Sequence, residues 1–303
     1  MDAGRLGEIG VDVPEDGSQT DVTAVTNRCL PLWENGPVPG TENTDTWDAL
    51  AYDRYAEERS RPFFDLVARV GVRDPAEIID LGCGTGSGLA ALARRWPGAH
   101  LVGVDSSSDM LAAAQTELGS VTPDVTLIGA QAQTWAPDVV ADVVVCNALL
   151  QWIPDHAQLL ARMAGWLGPD GWLAMQVPAN FEAPSHHLLR ELADSPQWTD
   201  KIGGVLRGAD SVFDAPGYFR ILTEVGLVVD AWETTYLHVL TGPDPVLRWT
   251  SGTALRPVLA VLSNADAREF ADQYAGLLRD AYPADEVGRV LFPFRRIFAV
   301  GHR

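Results

Sequence analysis

Through the middle of the chain, short apolar runs alternate with stretches whose apolar residues recur at helical spacing. Ile78-Ile79, Leu101 to Val104, Val125 to Ile128, Asp142 to Cys146 and Trp172 to Val177 read as strands. Arg61 to Val70, Leu89 to Trp96, Met110 to Leu118 and His156 to Leu167 read as helices. Ser107, Ser108 and Asp109 are available as caps for the third of these, and Pro154-Asp155 opens the fourth. Asp142 to Cys146 is almost unbroken apolar sequence after its acid, as suits a strand covered on both faces. This alternation predicts an α/β fold, a parallel sheet with right-handed crossovers and helices on both faces. Ligands of such sheets sit outside the carboxyl ends of the strands, which gathers Asp80, Asp105, Gln131 and Asn147 around one cleft.

The later chain changes rhythm. Phe213 to Val225 reads as a helix stopped by Gly226, and Val228 to His238 and Val290 to Val300 as strands. Between those strands, Pro245 to Trp249 and Asp266 to Leu278 carry helical patterns, so a helical cap insertion over about 239–289 is expected before the last strand. Residues 1–45 are rich in Gly, Pro, Thr and acids without periodicity, and are expected to form a disordered or loosely packed extension. Residues 46–303 are then one domain. The glycine-rich segment Lys201 to Ser211 is expected to be a loop.

Composition narrows the partners. The 303 residues are 47% hydrophobic, enough for a packed core, and no apolar stretch reaches membrane-span length. The start lacks the basic and apolar pattern of a signal peptide, so a cytoplasmic location is the default expectation. The net charge of −19 argues against nucleic acid and against an anionic membrane surface as partners. Cys29, Cys83 and Cys146 have neither disulfide-framework nor metal-ligand spacing, so no metal site is expected. Lys201 is the only lysine. The other basic residues are arginines, whose forked guanidinium suits a small anionic substrate held in a local pocket.

The chemistry starts at Asp80-Leu81-Gly82-Cys83-Gly84-Thr85-Gly86, an acid at a strand end followed by a glycine turn and a helix start. Asp105 ends the next strand, where a carboxylate can take both hydroxyls of a ribose. Glycines permit a tight turn and close approach of a ligand to the main chain. The motif by itself leaves a dinucleotide and S-adenosylmethionine both open. A carboxylate at Asp80 would repel a pyrophosphate and attract a cation.

This pattern resembles motif I of class I S-adenosylmethionine-dependent methyltransferases, (D/E)-x-G-x-G-x-G. Further segments are similar to trans-aconitate methyltransferases: Tyr55 to Pro62, Asn147 to His156, Met175 to Asn180, Pro184 to His186, Trp232 to His238, Gly252 to Pro257 and Arg296 to Phe298. The likeness spans about residues 46 to 301. It implies a Rossmann-like methyltransferase sheet, S-adenosyl-L-methionine as cofactor, and esterification of a carboxylate of trans-aconitate or a close di- or tricarboxylate. It implies that Asp80, Gly82, Cys83, Gly84 and Gly86 hold the methionine part and that Asp105 and Ser106 take the ribose. Met110 and Gln131 go to the adenine, Asn147 sits at the cleft, Tyr52 is a candidate to close over the cofactor, and Arg61, at the start of the first helix, is a candidate to hold the cofactor carboxylate. Arg59 competes with Arg61 for that role. Gln131 stands where the family often has an acid, and its carbonyl oxygen can still accept a hydrogen bond.

For the substrate, Arg256 in the Leu-Arg-Pro turn is the leading carboxylate ligand. Tyr236 and His238 share one face of a strand as donors. Gln151 and Trp152 follow the fourth strand, where the methyl group should lie, and Arg207 is a further candidate in the glycine-rich loop. Arg295 and Arg296 are expected as an exposed pair. A carboxylate nucleophile is already ionised at neutral pH, so no catalytic acid or base is expected, and the rate should be nearly flat from about pH 6 to 9. Two other readings stay open here: a methyltransferase for another small metabolite, and a cofactor-binding protein without turnover.

Overall fold

In the computed structural model, residues 56–303 are described apart from 120–123, 207, 209 and 210, with side chains from Ser60 onward. The expected extension over 1–45 lies outside them. The first helix, α1 (Ala56–Val67), leads into β1 (Glu77–Leu81), α2 (Ser87–Arg95), β2 (His100–Asp105), α3 (Ser108–Leu118), β3 (Val125–Gly129) and β4 (Ala141–Asn147). A single 3-10 turn, Leu150–Trp152, precedes α4 (His156–Gly165) and β5 (Leu167–Pro178). Then come α5 (Pro184–Ala193), α6 (Thr199–Ile202), α7 (Ala215–Glu224), β6 (Val228–Thr241), α8 (Pro245–Ser251), α9 (Arg256–Val261), α10 (Asn264–Ala281) and β7 (Arg289–His302).

The strands form one seven-stranded sheet in the order β3-β2-β1-β4-β5-β7-β6. The first five are parallel, and β7 runs antiparallel to both of its neighbours. Side-chain alternation divides the core in two. Ile79, Leu81, Val144 and Cys146 pack with α4 and α7, whereas Ile78, Val143 and Val145 pack with α1, α2 and α3. The caps expected from sequence are partly present: Ser107 accepts a hydrogen bond from the Met110 amide at 3.3 Å, which starts α3. Asp214 caps α7 through the Gly217 amide at 2.8 Å, so that helix begins two residues later than its apolar pattern suggested. Among the described residues no helix is long and apolar enough to cross a membrane.

The last two strands position the site. β6 and β7 pair over their full 14 residues, from Val228 opposite His302 to Thr241 opposite Arg289. β5 stops at Pro178, opposite Arg296, so residues 289–295 of β7 run past it with β6 as a two-stranded ribbon. Asn180 ends β5 by continuing its ladder with a side chain: Nδ2 donates to the Arg295 carbonyl at 3.0 Å, and Oδ1 accepts from the Arg295 amide at 2.8 Å.

A third core covers this ribbon, and its helices come from two separate insertions. One is the expected segment between β6 and β7, which carries α8, α9 and α10. The other lies between β5 and α7, carries α5 and α6, and was not anticipated as helical. Trp198, Trp249, Phe270 and Tyr274 are fully buried where the two meet. Burying a side chain such as Phe270 contributes on the order of 3 kcal/mol. Polar contacts align the pieces: the Ser185 amide donates to the Tyr282 hydroxyl at 3.0 Å, and the Tyr274 hydroxyl donates to the Ser185 carbonyl at 2.8 Å.

Candidate active site

The turn after β1 is pinned to β2. The amides of Gly82 and Cys83 both donate to the Val104 carbonyl, at 2.7 and 3.1 Å. Gly84 and Gly86 then take φ of 54° and 82°, left-handed values that side-chain-bearing residues seldom adopt. A Cβ on Gly86 would press on Ala114 of α3, at 3.0 Å, whereas one on Gly84 would meet nothing within 4 Å. The turn is therefore packed from behind and open at Gly84.

Asp105 braces the opening. Its carboxylate accepts the Gly84 amide and the Ser107 amide, each at 2.9 Å, and retains further lone pairs for a ligand. Asp80 is almost wholly buried and makes no hydrogen bond among the described residues. Burial, helped by the nearby Asp105 charge, raises its pKa to about 7. A cation seated beside it would restore the charged form. Cys83 and Cys146 are buried, and burial together with the Asp80 charge pushes both thiols up, which leaves them inert.

The other residues given to the cofactor are more spread out. Met110 is buried in the first turn of α3, and Ser106 is exposed just after β2. Gln131 is exposed in the loop after β3, beside Ala130, whose amide donates to the Asp105 carbonyl at 3.0 Å. Arg61 is exposed, with its guanidinium 5.3 Å from the centre of the Tyr236 ring. Tyr52 lies outside the described residues, as does the Arg59 side chain.

Beyond Asn147 the chain turns sharply. Ala148 adopts φ 56°, held by its amide donating to the Gln176 carbonyl at 2.8 Å and by Gln151 Nε2 donating to the Ala148 carbonyl at 2.6 Å. A left-handed alanine costs roughly 1–2 kcal/mol, so the surroundings impose this bend. The bend opens a cavity of about 130 Å³ between the carboxyl ends of β4 and β5, the outer part of β7 and the cap. Asn147, Gln151 and Trp152 line one side. His186 and Arg190 of α5 line another, Trp249, Thr253 and Pro257 the roof, and Phe294 and Arg296 the floor.

Its charge is distinctive for a chain so acidic overall. Arg296 is 6% exposed, donates from Nη1 to Gln176 Oε1 at 2.8 Å, and lies 5.0 Å from the Phe294 ring centre. Arg190 has one weak acidic neighbour, Glu182 at 3.8 Å, which is itself solvent-exposed. Burial, and then the adjacent Arg190 charge, lower the His186 pKa to about 4, so this ring is neutral at pH 7. Among the described residues, no Asp or Glu lines the cavity.

Several expectations change here. Arg295 and Arg296 are not an exposed pair. Successive strand residues point to opposite faces, so Arg295 pairs with Glu233 in solvent while Arg296 turns inward. Tyr236 does not reach the cavity: its hydroxyl donates to Asp65 Oδ2 at 2.6 Å, under α1. His238 packs behind the cavity wall, its ring 4.5 Å from that of Trp249. Arg256 begins α9 and is half-buried, but the lining is formed by its neighbours Ala254 and Pro257. Arg207 lies outside the described residues. Arg190 was missed, although His186, Leu189 and Arg190 at spacings of three and four announce one helix face.

A methyltransferase domain family model matches residues 55–231. The fold is that of solved methyltransferase-like proteins. YcgJ from Bacillus subtilis superposes with a TM-score of 0.53 at 14% identity, covering 80% of this chain and 97% of that one. A putative methyltransferase from Bacillus halodurans gives 0.51 at 13% identity, covering 79% and 97%. Those identities speak for the fold alone. Sequence comparison goes further: the trans-aconitate 2-methyltransferase of Streptomyces avermitilis is 49% identical over 262 residues, covering 85% of this chain and 97% of that protein. This chain belongs to the trans-aconitate 2-methyltransferase family. Another family member, from Mycobacterium tuberculosis, is 42% identical and covers 84% of this chain and 95% of its own length. The domain model stops at residue 231, so the family match of 262 residues necessarily extends into the cap that closes the cavity.

Proposed function

We propose that this enzyme transfers a methyl group from S-adenosyl-L-methionine to a carboxylate oxygen of trans-aconitate or a closely related small di- or tricarboxylate. The observation that carries the substrate class is the cavity: among the described residues its wall holds two arginines and a neutral histidine and no acidic side chain. Such a lining attracts a compact polyanion, and a carboxylate nucleophile requires no general base.

The cofactor residues fit the same reading. A buried carboxyl at Asp80 favours a cationic ligand and disfavours a pyrophosphate. The open space at Gly84 admits a ligand against the main chain, and Asp105 keeps lone pairs for ribose hydroxyls. When bound, the cofactor supplies an electrophilic methyl on a sulfonium: the carboxylate oxygen bonds to that carbon as the carbon–sulfur bond breaks, with the electron pair going to sulfur. The chain's own part is alignment and exclusion of water. Arg296 and Arg190 hold substrate carboxylates, while Trp152, Phe294 and Trp249 keep the cavity dry.

Mass spectrometry of reactions with S-adenosyl-L-methionine and trans-aconitate, cis-aconitate, citrate or isocitrate tests this directly. A monomethyl ester formed fastest from trans-aconitate is the expected result. No ester from any of them, with S-adenosylhomocysteine still raising the melting temperature, would retain the cofactor and discard the substrate class.

A further inference from the structure

Asn147, Gln176 and Arg296 stand in one hydrogen-bonded row across β4, β5 and β7. Asn147 is paired with Gln176, and Gln176 with Phe298, two residues along from Arg296, so all three side chains share one sheet face. Gln176 is completely buried between the other two. Its Oε1 accepts from Arg296 Nη1 at 2.8 Å, and its Nε2 donates to Asn147 Oδ1 at 2.7 Å.

The chemistry of this row permits only one polarity. A guanidinium has donors and no acceptor, so Gln176 must present its oxygen to Arg296. Its nitrogen then faces Asn147, which must answer with its own oxygen. The Asn147 amide nitrogen is left directed away from the row. It bonds to no described residue, and Asn147 is half-buried on the wall of the cavity. Two strands away, the arginine thereby decides that the cavity is offered an N–H donor at this point and not a carbonyl.

Resting on the functional reading above, we infer that Asn147 orients the reacting carboxylate and that Gln176 is the positioning residue that keeps the Asn147 donor turned toward it. Asn147 Nδ2 holds the carboxylate oxygen that does not react. No proton moves. Arg296 acts twice, as an anion ligand and, through Gln176, as the group that fixes the Asn147 amide.

The test is calorimetric titration of trans-aconitate into protein saturated with S-adenosylhomocysteine, paired with kcat and KM from ester formation. Asn147→Ala should weaken trans-aconitate binding by about tenfold or more, the loss of one hydrogen bond to a charged group. Asn147→Asp keeps the bond to Gln176 but aims a carboxylate at the substrate, so it should bind more weakly than Asn147→Ala. S-adenosylhomocysteine affinity should stay close to wild type in both; Asn147→Ala also leaves the buried Gln176 Nε2 without its acceptor and should lower the melting temperature, whereas Asn147→Asp keeps that bond. Gln176→Glu has only acceptors at its tip, forces the Asn147 nitrogen inward, and should reproduce the Asn147→Asp loss. In an Asn147→Ala background it should add little. A full second loss there would mean that residue 176 acts through the Arg296 charge, and would overturn the positioning role. Binding by Asn147→Asp equal to or tighter than Asn147→Ala, or a loss confined to the cofactor, would overturn the role of Asn147. Wild-type protein that binds and methylates no small polycarboxylate would overturn the functional reading and this inference together; variant results against an active wild type bear on the inference alone.

Discussion

Arg295 and Arg296 are neighbours on one strand, and the pleat sends the first to Glu233 in solvent and the second to Gln176 in the interior. Identical chemistry therefore has unequal worth at the two positions. The exposed pair is screened by water, whereas the inward guanidinium acts across a cavity whose wall, among the described residues, holds no competing acid.

Arg296→Gln should raise the KM for the polycarboxylate by about tenfold or more, from loss of a charged hydrogen bond. Arg295→Gln should leave KM unchanged and cost about 0–1 kcal/mol of stability. Arg190→Ala should raise KM more than Arg256→Ala, because Arg190 lines the cavity and Arg256 does not. Steady-state kinetics with varied acid and saturating cofactor distinguish these outcomes.

On the functional reading above, Asp80 should make cofactor binding depend on pH. Its folded pKa of about 7 lies above the roughly 3.9 of an unfolded aspartate, so the free native state holds an extra proton between those values. The stability from this group is complete below about pH 4 and is lost as pH rises to about 7. A cationic cofactor needs the ionised form, so its affinity should rise from about pH 6 to 8 while kcat at saturation stays flat. Titrations of S-adenosyl-L-methionine at several pH values check this. Asp80→Asn should bind weakly and without that slope.

Gly88, in the first turn of α2, leaves room for the same carboxyl. A Cβ there would lie 2.9 Å from Asp80 Oδ2 and 3.1 Å from the Phe63 ring. Gly88→Ala should displace the Asp80 side chain and weaken cofactor binding severalfold. The stability cost should be about 1–3 kcal/mol, as expected for overpacking. Binding and thermal melts of one variant preparation would show both effects, and an unchanged cofactor affinity would contradict the arrangement.

Tyr236→Phe should behave as a stability variant. It removes the hydrogen bond to Asp65 that ties β6 to α1, costing about 1–3 kcal/mol for a bond to a charged group. The KM for the acid should stay within about twofold of wild type. A large KM change would mean that the tyrosine reaches the substrate after all.

What the sequence disclosed follows from how local each signal is. Strand β4 was legible because Val143, Val144 and Val145 are apolar whichever way they face. The glycine turn was legible because its backbone needs are met within a few residues. Helix α5 was not, because its buried Leu189 packs in a core completed by Phe270, Tyr274 and Phe292, far along the chain. The inward position of Arg296 had a signal: it keeps the period-two register of Phe292, Phe294 and Phe298. Reading two adjacent arginines as a charged surface pair obscured that alternation.

The cap joins segments about ninety residues apart, as the bond between Ser185 and Tyr274 shows, while the parallel half of the sheet is assembled from short strand–helix–strand units. Closing the longer loops carries the larger entropic cost, so the parallel half can order before the chain has finished its last strand, and the cavity under the cap is completed late. The same asymmetry governs local opening of the native protein. Amides of α5 and α10 should exchange with solvent sooner than those of β1 and β4, and a molecule with its cap undone would still hold its cofactor.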